Sequence, residues 1–429
     1  MSVFKAYDIR GVYPGELNEA LAYKIGRACA SFFKSTTIIV GKDNRLSSPQ
    51  LAHALIQGIR DEGTNVVDIG LCTTPMIYFA AQQHDAIMVT ASHNPQEFNG
   101  FKLCAKGSQV VGKKEGITEI SRLINKNFRK KKRGRLQHKD IMETYVKHVL
   151  SFKEKIARFN IVVDAGNGMA GMTFPKVFKN ISCVIHPLYF TLDGRYPNHV
   201  PNPILPENIK DAQKEVKKKG AHLGILFDGD VDRVVFLDEK GRQIMPDVIG
   251  AMIADHLIKE HPGAKILCEV TCSKIIDDVS DNIIRSKVGH TNISVKMQKY
   301  DALFGFERSG HYYFKDNFST DSAMIAAITV LNIFSQYHTT FSALIKKYQK
   351  YASIQYNLQV KDKKKAVIKI QKKYAKFKQS KLDGITIEKK DSWFNVRPSN
   401  TEPLIRITVE ASSEKKRDSL LREVIKVVG

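Results

Sequence analysis

Asp228-Gly229-Asp230-Val231-Asp232-Arg233 follows the apolar run Leu223 to Phe227 and sets three carboxylates at a spacing of two, where they can converge on one point. Three such charges repel one another strongly unless a cation sits between them. Hard carboxylate oxygens favour Mg²⁺ or Ca²⁺ over a soft-ligand metal, and a Mg²⁺ site that keeps places for phosphate oxygen and water suits three protein carboxylates. A solvated acidic turn is the plainer reading. An EF-hand is disfavoured, because Arg233 stands where that loop needs a glycine and Val234 to Leu237 continues as a strand.

A second loop, Thr90-Ala91-Ser92-His93-Asn94-Pro95, follows the strand-like run Ala86 to Thr90. Asn94-Pro95 prevents that strand from continuing, so the Ser92 hydroxyl should stand at a strand tip. The flanking glycines of a hydrolase nucleophile elbow are missing, and adjacent Ser92 and His93 are expected to point apart rather than form a dyad. By itself the serine is an ordinary turn or capping residue. Beside the aspartate loop it gains a role, since a phosphoserine dianion would add acceptor oxygens to a magnesium site. Arg233 would then stabilise the equatorial oxygens of a phosphoryl group in transit. Farther on, Arg397-Pro398-Ser399-Asn400-Thr401 combines a fixed positive charge, hydroxyls and an amide between two strands, equipment for a phosphate that is held but not transferred.

The elements that must position these loops alternate. Thr37 to Val40, Val66 to Ile69 and Ala86 to Thr90 are strand-like, and Pro49 to Glu62 and Pro75 to Gln83 between them are helical. Such alternation predicts parallel sheets covered by helices. The pattern recurs: runs ending at Asp43, Asp164 and Glu269 each close a strand in an acidic turn. A second strand follows each and ends in a polar loop: Thr90 to Pro95, Asp228 to Arg233 and Glu307 to His311. Ligands in open α/β sheets gather at the carboxyl ends of strands, where all three loops fall. The fold class expected is α/β, with three similar mixed-sheet domains (1–139, 140–245 and 246–350) and a smaller C-terminal α+β domain (351–429). In the last, Trp393 to Val396 and Leu404 to Val409 read as strands and Ser413 to Val427 as an amphipathic helix.

A length of 429 residues, 43% of them apolar, suits several cores. Lys and Arg number 67 against 44 Asp and Glu, and the net charge of +23 attracts anions. The six cysteines include no CxxC pair and read as buried thiols, which points to the cytoplasm. Met1 to Arg10 lacks a signal-peptide core, and the most apolar stretch, Ser322 to Phe334, is shorter than the ~20 residues of a spanning helix, so no membrane is expected.

Taken together and in order, Tyr7-Asp8-Ile9-Arg10-Gly11, Thr90 to Pro95, Asn99-Gly100-Phe101-Lys102, Asp228 to Arg233, Glu307-Arg308-Ser309-Gly310-His311 and Arg397 to Pro403 resemble the α-D-phosphohexomutases. The resemblance spans essentially the whole chain. It implies four domains around a central cleft, with Ser92 as the phosphoserine and Asp228, Asp230 and Asp232 joining its phosphate as Mg²⁺ ligands. It implies that Lys102 and His93 supply acid and base functions and that Tyr7, Arg10 and Arg233 line the reaction site. Glu307 and Ser309 would read the sugar, His290 would add a contact, and Arg397, Ser399, Asn400 and Thr401 would clamp the phosphate that does not react. Bottom-up, Lys102 is expected to have a pKa lowered by desolvation and neighbouring cations.

The implied activity is reversible interconversion of hexose 6-phosphate and hexose 1-phosphate, mannose or glucose, through phospho-Ser92 and a hexose 1,6-bisphosphate that also serves as activator. Phosphoglucosamine mutase is the alternative within the family. Two departures stand out: Arg308 where the family has an uncharged residue after the glutamate, and Lys42 where it commonly has arginine. A nucleic-acid-binding protein is the rival from another class, prompted by Arg129 to Arg133 and Lys361 to Lys365. Lysine runs are usually solvated faces, however, and no recognition module accompanies these. Oligomeric state is not legible in the sequence.

Overall fold

A computed structural model of the chain describes residues 3–127, 131–399 and 404–428. The chain divides into two compact units, Met1–Met245 with Ser309–Ser342, and Pro246–Arg308 with Ala343–Gly429.

The first unit holds two mixed sheets. The larger runs in the order Ile9–Val12, Phe98–Ala105, Asp85–Val89, Thr37–Lys42, Asn65–Leu71 and Leu136–His138, with Gln109–Val111 added beside Phe98–Ala105. Thr37–Lys42 is parallel to both Asn65–Leu71 and Asp85–Val89, whereas Phe98–Ala105 runs antiparallel to Asp85–Val89. That antiparallel return opposes Met88 to Lys102 and so carries Lys102 back beside the strand that ends at the serine loop. The second sheet has the order Gln243–Ile244, Val234–Asp238, Leu223–Phe227, Asn160–Asp164 and Val184–Leu188. Every residue of Leu223–Phe227 is buried, as its unbroken apolar run requires of a strand covered on both faces.

The same unit takes in the antiparallel pair Tyr312–Phe314 and Thr320–Asp321 and the helix Ala323–Ser335. The most apolar stretch of the sequence is thus a core helix capped by Ser322, buried over all but its last residue. Among the described residues no helix is long and apolar enough to cross a membrane.

In the second unit Ile266–Glu269 lies between two parallel neighbours, Ile283–Ser286 and Phe304–Phe306. Its C-terminal part is an antiparallel sheet in the order Ala352–Gln359, Leu404–Ala411, Ser392–Pro398, Ile385–Glu388 and Lys378–Ser380. The helices Lys363–Lys373 and Glu414–Val428 bury Ala366, Ile370, Leu420, Val424 and Val428 against it. Only two of these five strands are legible in sequence. Ala352–Gln359 has no buried position to give it an apolar alternation, and Lys378–Ser380 is short. The lysine-rich stretch contains a helix that turns two apolar residues inward and its lysines, half-buried Lys363 apart, outward.

Helices Glu19–Phe33 and Ser48–Asp61 cross at a pair of glycines. A Cβ on Gly58 would lie 2.0 Å from the Tyr23 carbonyl oxygen, and one on Gly26 2.2 Å from that of Leu55. Neither backbone can yield without moving a helix. Gly58→Ala is expected to lower stability by about 1–3 kcal/mol through overpacking, despite alanine's better helix propensity, as read from the urea midpoint.

Candidate active site

Ser92 is buried and adopts a left-handed backbone, with φ at 50°. Its Oγ donates to Asp228 Oδ2 at 2.9 Å and lies 3.2 Å from His93 Nδ1. The expectation that Ser92 and His93 point apart is therefore wrong. Neighbouring side chains diverge in an extended strand, but the positive φ folds this pair back together.

The serine loop is held from beneath by Arg45, whose side chain is fully buried. Its guanidinium donates to the carbonyl oxygens of Ser92 (2.7 Å), Asn94 (2.7 Å), Pro95 (2.7 Å) and Phe98 (3.0 Å) and pairs with Asp43 at 3.2 Å. One planar, permanently charged group thus satisfies the turns of the whole loop.

Asp228, Asp230 and Asp232 are buried, with one oxygen of each lying within 4.8 Å of the others. Asp228 Oδ1 accepts from the backbone N–H groups of Asp232 and Arg233, both at 3.1 Å, which curls the loop around it. Val231 pays for that curl with a φ of 65°, a conformation that β-branched residues rarely adopt. Gly229 lets the two loops meet, since a Cβ there would stand 2.6 Å from the Ser92 carbonyl oxygen. Thr74, at the start of the helix Thr74–Ala80, bonds Asp230 twice, through its backbone N–H and its hydroxyl.

The electrostatics follow from this crowding. Burial pushes the Asp228 carboxyl well above the usual range, and Asp232 and Asp230 push it further. Burial also raises Asp232, but Lys102 and His311 overcome that and hold it well below. Lys102 Nζ donates to Asp230 Oδ2 at 2.7 Å and to Asp232 Oδ2. Desolvation alone would push this lysine down, yet the two carboxylates more than reverse it and hold the ammonium above its ordinary value. The neighbours of Lys102 are thus anions, not the cations expected from sequence. His93 is pushed well below its usual value by burial and by Arg233 and Arg10, and is neutral.

Arg10 donates to Asn94 Oδ1 at 2.7 Å and pairs with Asp8. Tyr7, half-buried, precedes it on the same segment. Arg233 Nε donates to His311 Nε2 at 3.2 Å and lies 4.0 Å from both Asp228 and Asp232. His311 Nδ1 is 2.8 Å from Ser309 Oγ, and its Nε2 is 3.4 Å from Asp232 Oδ1. This imidazole joins Ser309 to Asp232, and sequence reasoning assigned it no role. Its only signal was membership of the Glu307 to His311 loop. Arg45 was missed as well, though the acidic turn at Asp43 marked its neighbourhood.

In the second unit, Glu307 is buried and Oε1 accepts the Gly289 N–H at 2.7 Å, immediately before His290, which opens the helix His290–Tyr300. Asp383 Oδ2 accepts the Val288 N–H at 3.0 Å and lies 3.8 Å from Arg397 Nε. Ser399 is buried, and its carbonyl oxygen accepts from Lys363 Nζ at 2.7 Å. Asn400 and Thr401 lie outside the described residues. Arg308 turns into the unit, bonding Ser353 Oγ at 2.7 Å and Asp247 Oδ2 at 3.3 Å.

The first unit thus joins a serine, a neutral imidazole and an ammonium to a carboxylate triad. Matches to the four domain families of phosphoglucomutase/phosphomannomutase, alpha/beta/alpha domains I, II and III and the C-terminal domain, cover residues 1–131, 143–241, 245–351 and 356–427. The chain belongs to the phosphoglucomutase/phosphomannomutase family, and is an intramolecular phosphotransferase.

It is 35% identical over 436 residues to a phosphomannomutase of Escherichia coli K12, covering 96% of each chain. It is 35% identical over 435 residues to a phosphomannomutase/phosphoglucomutase of Pseudomonas aeruginosa PAO1, covering 98% of this chain and 94% of the relative. Its fold is similar to that of a phosphoglucomutase/phosphomannomutase family protein from Burkholderia thailandensis, with a TM-score of 0.91, 30% identity, and coverage of 99% and 97%.

Arg45→Met would leave four carbonyl oxygens and Asp43 without their partner. A stability loss of about 3–5 kcal/mol is expected at neutral pH, the usual result of stranding one member of a buried pair. Burial already raises Asp43, and Arg45 opposes that rise. In the variant, the folded pKa of Asp43 therefore stands above its unfolded value. The stability that its protonation provides is complete below about pH 4 and is lost as pH rises through the folded value. Urea denaturation across pH 4 to 8 should show the deficit shrinking towards acid.

Proposed function

We propose that the chain interconverts hexose 6-phosphates and hexose 1-phosphates, mannose and glucose, by passing a phosphoryl group through Ser92. The observation that carries the proposal is the Ser92 Oγ contact to Asp228 Oδ2 at 2.9 Å, within a buried carboxylate triad that also engages Lys102. In the starting enzyme Ser92 is phosphorylated. A free hydroxyl of the hexose phosphate attacks that phosphorus; the new P–O bond forms as the P–Oγ bond breaks, and the hydroxyl's proton ends on the released Ser92 Oγ, giving a hexose 1,6-bisphosphate and free serine. The bisphosphate turns over, and its opposite phosphate returns to Ser92. Added bisphosphate is accordingly the activator.

The chain's own groups divide the work. When Ser92 attacks in the return step, its hydroxyl proton has two acceptors within reach, Asp228 Oδ2 and neutral His93 Nδ1. The Lys102 ammonium and the Arg10 and Arg233 guanidiniums are the fixed charges for the equatorial oxygens of the group in transit. Tyr7 would border the same oxygens. Glu307, Ser309 and His290 are assigned to sugar hydroxyls, and Arg397, Ser399, Asn400 and Thr401 to the phosphate that stays on its carbon.

Mg²⁺ fits the triad. Among the described residues Asp230 Oδ1 is buried without a hydrogen-bond partner, and three buried carboxylates exceed the charge of the one ammonium among them. Asp228, Asp230, Asp232 and a phosphate oxygen on Ser92 would hold the ion, which would neutralise charge on the phosphoryl oxygens. Relatives named phosphomannomutase and phosphomannomutase/phosphoglucomutase at 35% identity favour mannose and glucose over the alternative, glucosamine phosphate.

Ser92→Ala is expected to abolish turnover of mannose 1-phosphate and glucose 1-phosphate while leaving the unfolding free energy, from urea denaturation, within about 1 kcal/mol of wild type. Residual turnover at wild-type rates would exclude the phosphoserine route. Chelation should stop the reaction, with Mg²⁺ restoring it better than Ca²⁺, whose longer and looser coordination misplaces the phosphate. Across a panel of sugars, kcat/KM should be higher for mannose and glucose phosphates than for glucosamine phosphate.

A further inference from the structure

The three acidic strand ends, Asp43, Asp164 and Glu269, are all buried, but they are not satisfied alike. Asp43 Oδ1 accepts from Arg45 N and Ser48 Oγ, and its Oδ2 from Arg45 Nε. Asp164 Oδ1 accepts from Gly166 N at 2.8 Å, and its Oδ2 faces His199 Nε2 at 3.1 Å. Glu269 puts both of its hydrogen bonds on one oxygen: Oε1 accepts from Thr271 Oγ1 at 2.8 Å and from Arg308 N at 3.1 Å. Its Oε2 is buried with no hydrogen-bond partner among the described residues. A carboxylate oxygen stranded in this way is costly and calls for a reason.

Its position supplies one. Ile266–Glu269 and Phe304–Phe306 are adjacent parallel strands with Cys268 opposite Phe306, so Glu269 and Glu307 leave neighbouring carboxyl ends side by side. On the other flank Glu269 pairs in register with Ser286, and that chain continues to Gly289, which donates to Glu307, and to His290. Carboxyl strand ends are where open α/β sheets take their ligands. Burial and then the charge of Glu307 push the Glu269 carboxyl up to about 7, against the opposing pull of Thr271, Arg397 and Arg308. Near neutrality such a group serves as either donor or acceptor, and a sugar hydroxyl can meet both.

We propose that Glu269 contacts the sugar, its Oε2 bonding a ring hydroxyl adjacent to the one read by Glu307. The proposal rests on the hexose-phosphate reading above. Two glutamates side by side would engage neighbouring hydroxyls, and the choice of hydroxyl makes Glu269 a determinant of which hexose is accepted.

Steady-state kinetics of wild type, Glu269→Ala and Glu269→Gln with glucose 1-phosphate and its 2-, 3- and 4-deoxy analogues test this, with glucose 1,6-bisphosphate as activator. Glu269→Ala is expected to raise KM for glucose 1-phosphate about tenfold, with kcat within about threefold, the loss of one hydrogen bond to a group that can be charged. For one deoxy analogue, wild type and variant should differ by less than about twofold, because the hydroxyl that Glu269 would hold is already gone. Glu269→Gln keeps an acceptor for Thr271 and Arg308 and should recover most of the KM; it also supplies the comparison if the alanine variant does not fold. Equal losses on the parent sugar and all three analogues, or no loss, would overturn the role of Glu269 while the hexose-phosphate reading stands. Wild type inactive on every hexose phosphate would overturn that reading and this proposal with it.

Discussion

Three carboxylates forced into one buried point repel one another, and the first unit of the molecule is arranged around the management of that repulsion. Asp228 is met by two backbone N–H groups and the serine hydroxyl, Asp230 by Thr74 and Lys102, and Asp232 by Lys102 and the edge of His311. Those partners come from both sheets and from the segment 309–342, so the electrostatic demand of one loop ties distant parts of the sequence together. Under the proposed function, a cation among the aspartates with phosphate oxygens beside it and guanidiniums on the flanks would complete an alternation of charge that neither a hydrophobic core nor a solvated turn would need.

The second consequence is mechanical. A phosphoryl carrier must be held where the attacking oxygen arrives, and small misplacements are expensive in rate. Ser92 has a left-handed backbone, a buried arginine bonded to four carbonyls of its loop, and a glycine in the facing loop that permits contact at backbone distance. Val231 supplies the matching strain on the aspartate side. Both loops thus hold non-glycine residues in a costly conformation, which the surrounding bonds over-determine.

What was legible in sequence follows from this physics. Leu223–Phe227 and the aspartates after it were readable because an apolar run and a charge pattern are both local. Helix-covered sheets were readable from alternation and the smaller C-terminal domain from two strands and a helix. Alternation pointed to parallel sheets, however, and missed the antiparallel direction of Phe98–Ala105 and Val234–Asp238. Ala352–Gln359 was hidden because its exposed positions leave no pattern. Three things were hidden because they depend on backbone sign or on long-range contact. The positive φ of Ser92 turns it towards His93; Asp230 and Asp232 reverse the expected electrostatics of Lys102; and His311 reaches Arg233 and Asp232 only after the chain returns. Arg308, noticed as an oddity, is an internal strut to Asp247 and Ser353.

The central claim, that the phosphoryl group travels through Ser92, is tested most directly by single-turnover transfer of label. The enzyme is phosphorylated with ³²P-labelled glucose 1,6-bisphosphate, freed of ligand, and mixed with unlabelled glucose 6-phosphate in the presence of Mg²⁺. The account predicts label on Ser92 at the start and its passage at the rate of turnover into glucose 1,6-bisphosphate and then, as the opposite phosphate returns to Ser92, into glucose 1-phosphate. Label on another residue, or label released only as inorganic phosphate, would contradict it.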